Sequence, residues 1–273
     1  MTWAVVAKKD FRDSIRAKTL WAIVAVFALL IAASVFVFSE LFGGQEQAAS
    51  QLLLSLMTPT SILLPAIGVM VGYKAIIGER NSGSIKILLS LPHSRRDAIA
   101  GKFVGRTAVV TVAVALGAII GAVVFLVVAG TFAPVKYLAY VATSIVLGAT
   151  FVSIAVGFSA LTTSDTVAII GGVGLVLLFT LLWNILTFLV GFLLGEYAGV
   201  AQQTTRDFIG FISAINPANA YSRLLRPLLG VETGDLPGGG AFFNEPWFSA
   251  LIILVWLIAP LALGYWRFEQ ADL

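Results

Sequence analysis

The 273 residues are 59% hydrophobic and 11% charged with a formal net charge of +3, a composition that excludes a water-soluble globular domain. With no cysteine, the chain has no disulfide, thiolate metal site or cysteine nucleophile. The small basic excess flanks apolar segments, so it marks membrane topology and not a nucleic-acid surface.

Residues 2–18 place Trp3, Val6, Phe11 and Ile15 three to five positions apart, with Lys8, Lys9, Arg12, Arg16 and Lys18 between them. That spacing predicts an amphipathic helix for the membrane surface. A signal peptide would also begin basic and turn apolar. Asp10 and Asp13 interrupt the basic part, however, and the run from Leu20 to Phe38 is long enough to cross a bilayer, which favours a retained span.

Charge-free intervals follow at 19–39, 47–73, 107–135, 137–164, 166–195 and 246–266. A crossing needs about 20 apolar residues, so these intervals predict six transmembrane helices and an all-α membrane fold. Pro59 and Pro65 in the second span and Pro260 in the sixth are expected to kink their helices without ending them, because neighbouring helices satisfy the freed carbonyls.

Residues 74–106 form the one long charged stretch between spans. After Glu79 and Arg80, Gly83 permits a tight turn near Asn81–Gly83. Ile85, Ile87, Leu88, Leu89 and Leu91 are too apolar for a solvated loop and too few for a crossing, which predicts a short docked helix. Ser94-Arg95-Arg96-Asp97 has the form of a capping box, so a helix should begin at Arg95 and run through Lys102 into the third span.

Gly101-x-x-x-Gly105, Gly117-x-x-x-Gly121 and Gly191-x-x-x-Gly195 predict close helix approach, most simply within one chain. Gly171-Gly172-x-Gly174 lies inside a span and lacks the context of a dinucleotide fold, so it reads as a packing feature. Asn184 is the most polar mid-span residue and reads as an interhelical hydrogen bonder or part of a dimer-lined pathway. The loop at 161–166 is expected to face inward and is a second, smaller candidate contact for a cytoplasmic partner.

The segment 196–248 is the long external connection. Phe208, Ile209, Phe211, Ile212 and Ile215 give it an apolar face, and Asn216-Pro217 has the N-cap and first-turn preference of a further helix. Two short helices dipping toward the outer leaflet fit better than a free loop, with a turn-rich mobile linker at 233–240 beyond them.

Of the seventeen Lys and Arg residues, five lie in 1–18, seven in 74–106 and one at Arg267. That bias places both termini and the 74–106 segment in the cytoplasm. No Gly-x-x-x-x-Gly-Lys-Ser/Thr, His-Glu-x-x-His or Gly-x-Ser-x-Gly string is present, so no catalytic site, resident ATPase or cofactor is expected.

The string from Gly78 to Lys102, G-E-R-x-S-G-S-x-K-x-L-L-S-L-P-x-S-R-R-D-x-x-x-G-K, resembles the first cytoplasmic loop of ABC transporter permeases of type 2. By that resemblance Glu79, Arg80, Gly83, Ile85, Leu88, Leu89, Pro92, Ser94, Arg95 and Lys102 belong to a coupling loop whose helix docks on an ATP-binding subunit. The resemblance extends over nearly the whole chain: an N-terminal elbow helix at 1–18, six spans, an outer re-entrant hairpin carrying Asn216, Pro217 and Tyr221, and a Gly264–Leu273 tail. The order of features is most similar to the subgroup that serves copper maturation of nitrous oxide reductase. It implies one permease domain over 1–273, a homodimer with a pathway lined by the second and fifth spans, surrounding membrane lipid, and export across the cell membrane. An ion-coupled secondary carrier and a non-transporting membrane scaffold are the alternatives.

Overall fold

The computed structural model describes residues 3–16, 18–42, 49–84, 94–129, 132–231 and 236–270. Among them every regular element is helical. In chain order the helices are α1 (Trp3–Arg16), α2 (Lys18–Phe42), α3 (Ala49–Gly72), α4 (Ile77–Asn81), α5 (Arg95–Ala129), α6 (Pro134–Leu161), α7 (Asp165–Leu177), α8 (Trp183–Phe192), α9 (Gln202–Ile215), α10 (Pro217–Leu228) and α11 (Pro246–Glu269). Wider π turns at Leu178–Leu182 and Leu193–Tyr197 continue α7 and α8 into one long fifth span. Six of these segments are long and apolar enough to cross a bilayer, matching the six intervals read from the sequence.

The helix α6 forms the centre. In its most apolar window 72% of the residues are buried, against 11% for the fifth span, so α6 is a core helix and the fifth span lies on the periphery. Tyr140, Leu147, Phe151, Val152 and Val156 are fully buried, with α3 and α11 making the most extensive contacts to α6 and α5 and α10 packing on it as well. In hydrocarbon, helices associate by close van der Waals contact and not by expelling water. The contacts show it: a Cβ on Gly157 would stand 2.3 Å from the Pro260 carbonyl of α11, and one on Gly68 2.7 Å from Phe151.

Pro59 and Pro65 lie inside a continuous α3, and Pro260 inside a continuous α11. In the turn before Pro260, the Ser153 hydroxyl of α6 donates to the Leu257 carbonyl at 2.8 Å. The proline deprives the Trp256 carbonyl, four residues back, of its helical donor, and the neighbouring helix adds a hydrogen bond at the next residue of that turn.

The first two glycine pairs pack helices within the chain. Gly101 and Gly105 of α5 receive α1, where a Cβ on Gly101 would meet Val6 at 2.6 Å; Gly117 and Gly121 receive Phe27 and Ile31 of α2. In the third pair Gly191 makes room for Ile209, while a Cβ on Gly195 would meet no other element within 4 Å among the described residues. Gly171 and Gly172 likewise receive Phe158 and Val69.

The flat glycine surface of α5 also decides which face of α1 is buried. Val6, Ala7 and Asp10 lie against it, whereas Trp3 and Ile15 of the expected apolar face are exposed. A surface without side chains admits small residues at close range, and the large ones turn outward. On α9 Thr205, Gly210 and Ala214 are buried and Phe208 is exposed, while the Phe211 ring packs against those of Phe242, Phe243 and Phe248.

Candidate functional site: the junction at the root of the 74–106 segment

After α3 ends at Gly72, the chain turns through Tyr73–Ile76 into the single-turn helix α4. Ala75, Ile76 and Ile77 are buried, which anchors the start of α4 in the bundle. The amides of Ile76 and Ile77 both donate to the Ser159 hydroxyl of α6, each at 3.1 Å. These amides lack intrahelical partners at a helix start, and a side chain from the central helix satisfies them. Arg80 then donates to the Thr162 carbonyl at 3.1 Å, so the Thr162–Asp165 loop contacts α4 of its own chain.

Glu79, on the other side of α4, enters an ion network. The Lys102 ammonium lies 2.5 Å from Glu79 Oε1 and 2.8 Å from Asp10 Oδ1, and Arg106 Nε lies 2.8 Å from Asp10 Oδ2. Asp10 and Lys102 are both buried. Two carboxylates face two cations, so the set is neutral and each buried charge has an opposite partner, which burial requires. Lys102 and Arg106, one helical turn apart on α5, thereby tie α1, α4 and α5 together.

A second knot gathers on Phe268 of α11, which is fully buried. The Arg80 and Arg95 guanidinium groups lie 5.2 and 5.5 Å from its ring centroid, within cation–π range. Arg95 also donates to the Phe268 carbonyl and, at 2.8 Å, to that of Glu269. A cation there meets the carbonyl end of the α11 dipole.

The local turns fall where the residues indicate. Gly83 has φ +73, a backbone conformation that demands glycine, and among the described residues nothing lies within 4 Å of where a Cβ would stand. Ser94 and Asp97 form the capping box at the start of α5: the Asp97 amide donates to Ser94 Oγ at 3.1 Å, and the Ser94 amide donates to Asp97 Oδ2 at 3.0 Å. Ile85, Leu88, Leu89 and Pro92 lie outside the described residues.

Of the sequence-predicted residues, Glu79 and Lys102 are thus brought into one ion network and Arg80 and Arg95 onto one ring. Gly83 and Ser94 shape the flanks. Sequence reasoning missed Asp10, Arg106, Ser159 and Phe268. Asp10 carried a signal, since it stands four residues after Val6 and breaks the apolar stripe of α1; an acid on that stripe needs a buried cation. Ser159 carried none, because its role comes from a fold contact more than 80 residues away.

At the opposite end of the bundle, Asn216 caps α10 as its type suggests, its Oδ1 accepting from the Ala218 amide at 2.8 Å. Pro217 opens that helix. Asn216 Nδ2 also donates to the Phe179 carbonyl in the π turn of the fifth span at 2.8 Å. Tyr221 is buried beside Ser144 of α6, 3.4 Å between hydroxyl oxygens, and burial followed by the nearby Tyr140 pushes its phenol well above the usual range. The Trp183 and Trp256 indoles donate to the Ile212 and Ile215 carbonyls, so the fifth and sixth spans hold the end of α9. Arg223, which the sequence reading did not select, is buried and donates to Asn244 Oδ1 and, at 3.3 Å, to the Gly210 carbonyl. Burial, then repulsion from Arg226, pushes its pKa down to about 10. Asn244 Nδ2 in turn holds the Pro237 and Gly239 carbonyls at 3.2 and 2.7 Å. The described part of the expected mobile linker, 236–240, is therefore pinned by a side chain.

Asn184 is exposed on the fifth span, and its side chain has no hydrogen-bond partner among the described residues. The interhelical hydrogen bond, one of the two roles expected for it, is not made among the described residues.

Comparison with known proteins places this arrangement. The family model described as "ABC-2 family transporter protein" matches residues 4–273. The chain is 25% identical over 285 residues to the protein named "Probable ABC transporter permease protein NosY" of Pseudomonas aeruginosa, covering 99% of this chain and 98% of that protein. It is 32% identical over 114 residues to the protein of the same name from Stutzerimonas stutzeri, covering 41% of each. A six-span helical chain matched over nearly its whole length belongs to the ABC-2 family of transporter proteins, as a permease and membrane subunit of an ABC transport system.

Proposed function

We propose that two copies of this chain form the permease of an ATP-driven exporter in the cell membrane, powered by a separate ATP-binding subunit that docks on Ile85–Leu91. The observation that carries this reading is the junction itself: both flanks of the 85–93 segment are locked to the bundle, through Glu79–Lys102 on one side and Arg95–Phe268 on the other. A push on that segment would reach α1, α5, α6 and α11 as a rigid displacement, because packed helices with paired charges move together. Residues 1–273 act as one permease domain, with α1 as the elbow on the inner leaflet and α9–α10 as the outer re-entrant hairpin.

The fifth span supports dimerisation. It leaves Val173, Leu177, Leu181, Ile185, Phe188 and Phe192 exposed together with Asn184. Beside it, Ala66, Val69, Met70 and Tyr73 of the second span and Ile169, Gly172 and Val173 of the fifth line a groove of about 330 Å³, at the position expected for a pathway. Co-reconstitution with the ATP-binding subunit should give transport that follows ATP hydrolysis and survives collapse of the proton gradient. Transport that follows an ion gradient without ATP would favour the secondary carrier, and no transport with either a scaffold.

The junction also bears on orientation. It gathers α1, α4, the start of α5 and the end of α11 at one end of the bundle, and these carry most of the thirteen basic residues counted in 1–18, 74–106 and at Arg267. That end is cytoplasmic by the positive-inside rule. A single cysteine at position 239 should react with an impermeant maleimide in intact cells. Reaction only after permeabilisation would invert the topology.

A further inference from the structure

A second groove, of about 490 Å³, runs between the start of α5 and the end of α11, away from the second and fifth spans. Ile99, Phe103 and Val104 line one wall and Leu257, Ile258 and Leu261 the other, while its polar lining gathers at one end, at Arg96 and Tyr265. Arg96 Nε donates to the Tyr265 hydroxyl at 2.9 Å, its guanidinium lies 5.0 Å from that ring's centroid, and Tyr265 donates to Glu269 at 2.8 Å. This leaves both Nη groups of Arg96 without a hydrogen-bond partner among the described residues. Arg95 and Arg267 add positive charge at the same end, with Glu269 as the carboxylate beside Tyr265.

We propose that this groove binds one acyl chain of an anionic phospholipid, with the headgroup phosphate on the Arg96 guanidinium. Charge and length select that occupant. The groove is apolar along its walls and cationic at one mouth, the complement of an amphiphile with an anionic head. From Arg96 to Val104 the wall rises eight residues of α5, about 12 Å at 1.5 Å per residue. One leaflet contributes about 15 Å of the 30 Å hydrocarbon core, so the groove accommodates a chain from one leaflet, whereas a helix of a second copy would use the full thickness. A guanidinium oriented by stacking and by its Nε bond presents a planar pair of donors to phosphate. Basic pockets between helix ends at the interface suit anionic headgroups in this way.

Native mass spectrometry of the full-length chain in micelles, titrated with phosphatidylglycerol or phosphatidylcholine, tests the site. Phosphatidylglycerol should bind roughly tenfold more tightly, because its phosphate charge is uncompensated, whereas the choline ammonium of phosphatidylcholine offsets its own phosphate and is repelled by Arg95, Arg96 and Arg267. Arg96→Gln should reduce it to the phosphatidylcholine level, and Ile258→Trp, which fills the groove from its exposed wall, should weaken both lipids. Unchanged thermal midpoints in lipid-free micelles would show that both variants fold. Equal wild-type affinity for the two lipids, or a phosphatidylglycerol preference that survives both substitutions, would overturn the proposal. So would a disulfide between copies through Ile258→Cys, which would make the groove a protein interface.

Discussion

Lys102→Met is expected to lower the thermal midpoint of the solubilised protein by about 6–12 °C. The ammonium lies 2.5 Å from Glu79 and 2.8 Å from Asp10, so its removal orphans Glu79 and leaves Asp10 to Arg106 alone. Breaking a buried pair by removing one partner costs about 3–5 kcal/mol. The Glu79 side chain keeps 22% exposure and Asp10 keeps a cation, which places the loss near the lower figure. At about 2–4 °C per kcal/mol for a chain of this size, the shift follows. Glu79→Gln added to Lys102→Met should recover part of it, because a neutral amide there no longer strands a charge. A midpoint for Lys102→Met within about 2 °C of wild type would show that the network is too wet to hold the junction.

Leu88→Asp should weaken association with the ATP-binding subunit by well over tenfold while leaving the helices inserted. Burying a leucine in a groove of the partner is worth roughly 1.5–3 kcal/mol, and an aspartate in its place also buries an unpaired charge. Each 1.4 kcal/mol is about tenfold in affinity. Glu79→Ala separates a second effect, since Glu79 belongs to the junction: it should reduce stimulated hydrolysis more than it reduces pull-down of the subunit. Normal association and transport by Leu88→Asp would reduce 85–91 to a topology loop and remove the main support for ATP coupling through it.

Local chemistry made much of this site legible. The Ser94–Asp97 cap, the Gly83 turn and the Asn216 cap each depend on residues within a few positions of one another, and each is where the residues indicate. The burial of Asp10 was not legible in the same way. On α1 the spacing gave Trp3, Val6, Phe11 and Ile15 as an apolar face for the membrane surface, but it did not show that Val6, Ala7 and Asp10 would pack against the glycines of α5. Basic residues counted as topology markers also have structural work: Lys102 and Arg106 neutralise a buried aspartate, and Arg80 and Arg95 flank Phe268.

The amino-acid sequence alone determined that this is a six-span helical membrane protein with one conspicuous charged segment, because span length and hydrophobicity are additive along the chain and need no partner. Tertiary structure decided that α6 is the core and the fifth span the exposed flank, although both are comparably apolar. It also decided that Asp10, Glu79 and Lys102 meet, and that Ser159 caps α4. In hydrocarbon the apolar faces of helices are nearly equivalent, so which helix lies inside depends on where glycines allow backbones to approach and where isolated polar groups find partners, and both are properties of pairs of helices.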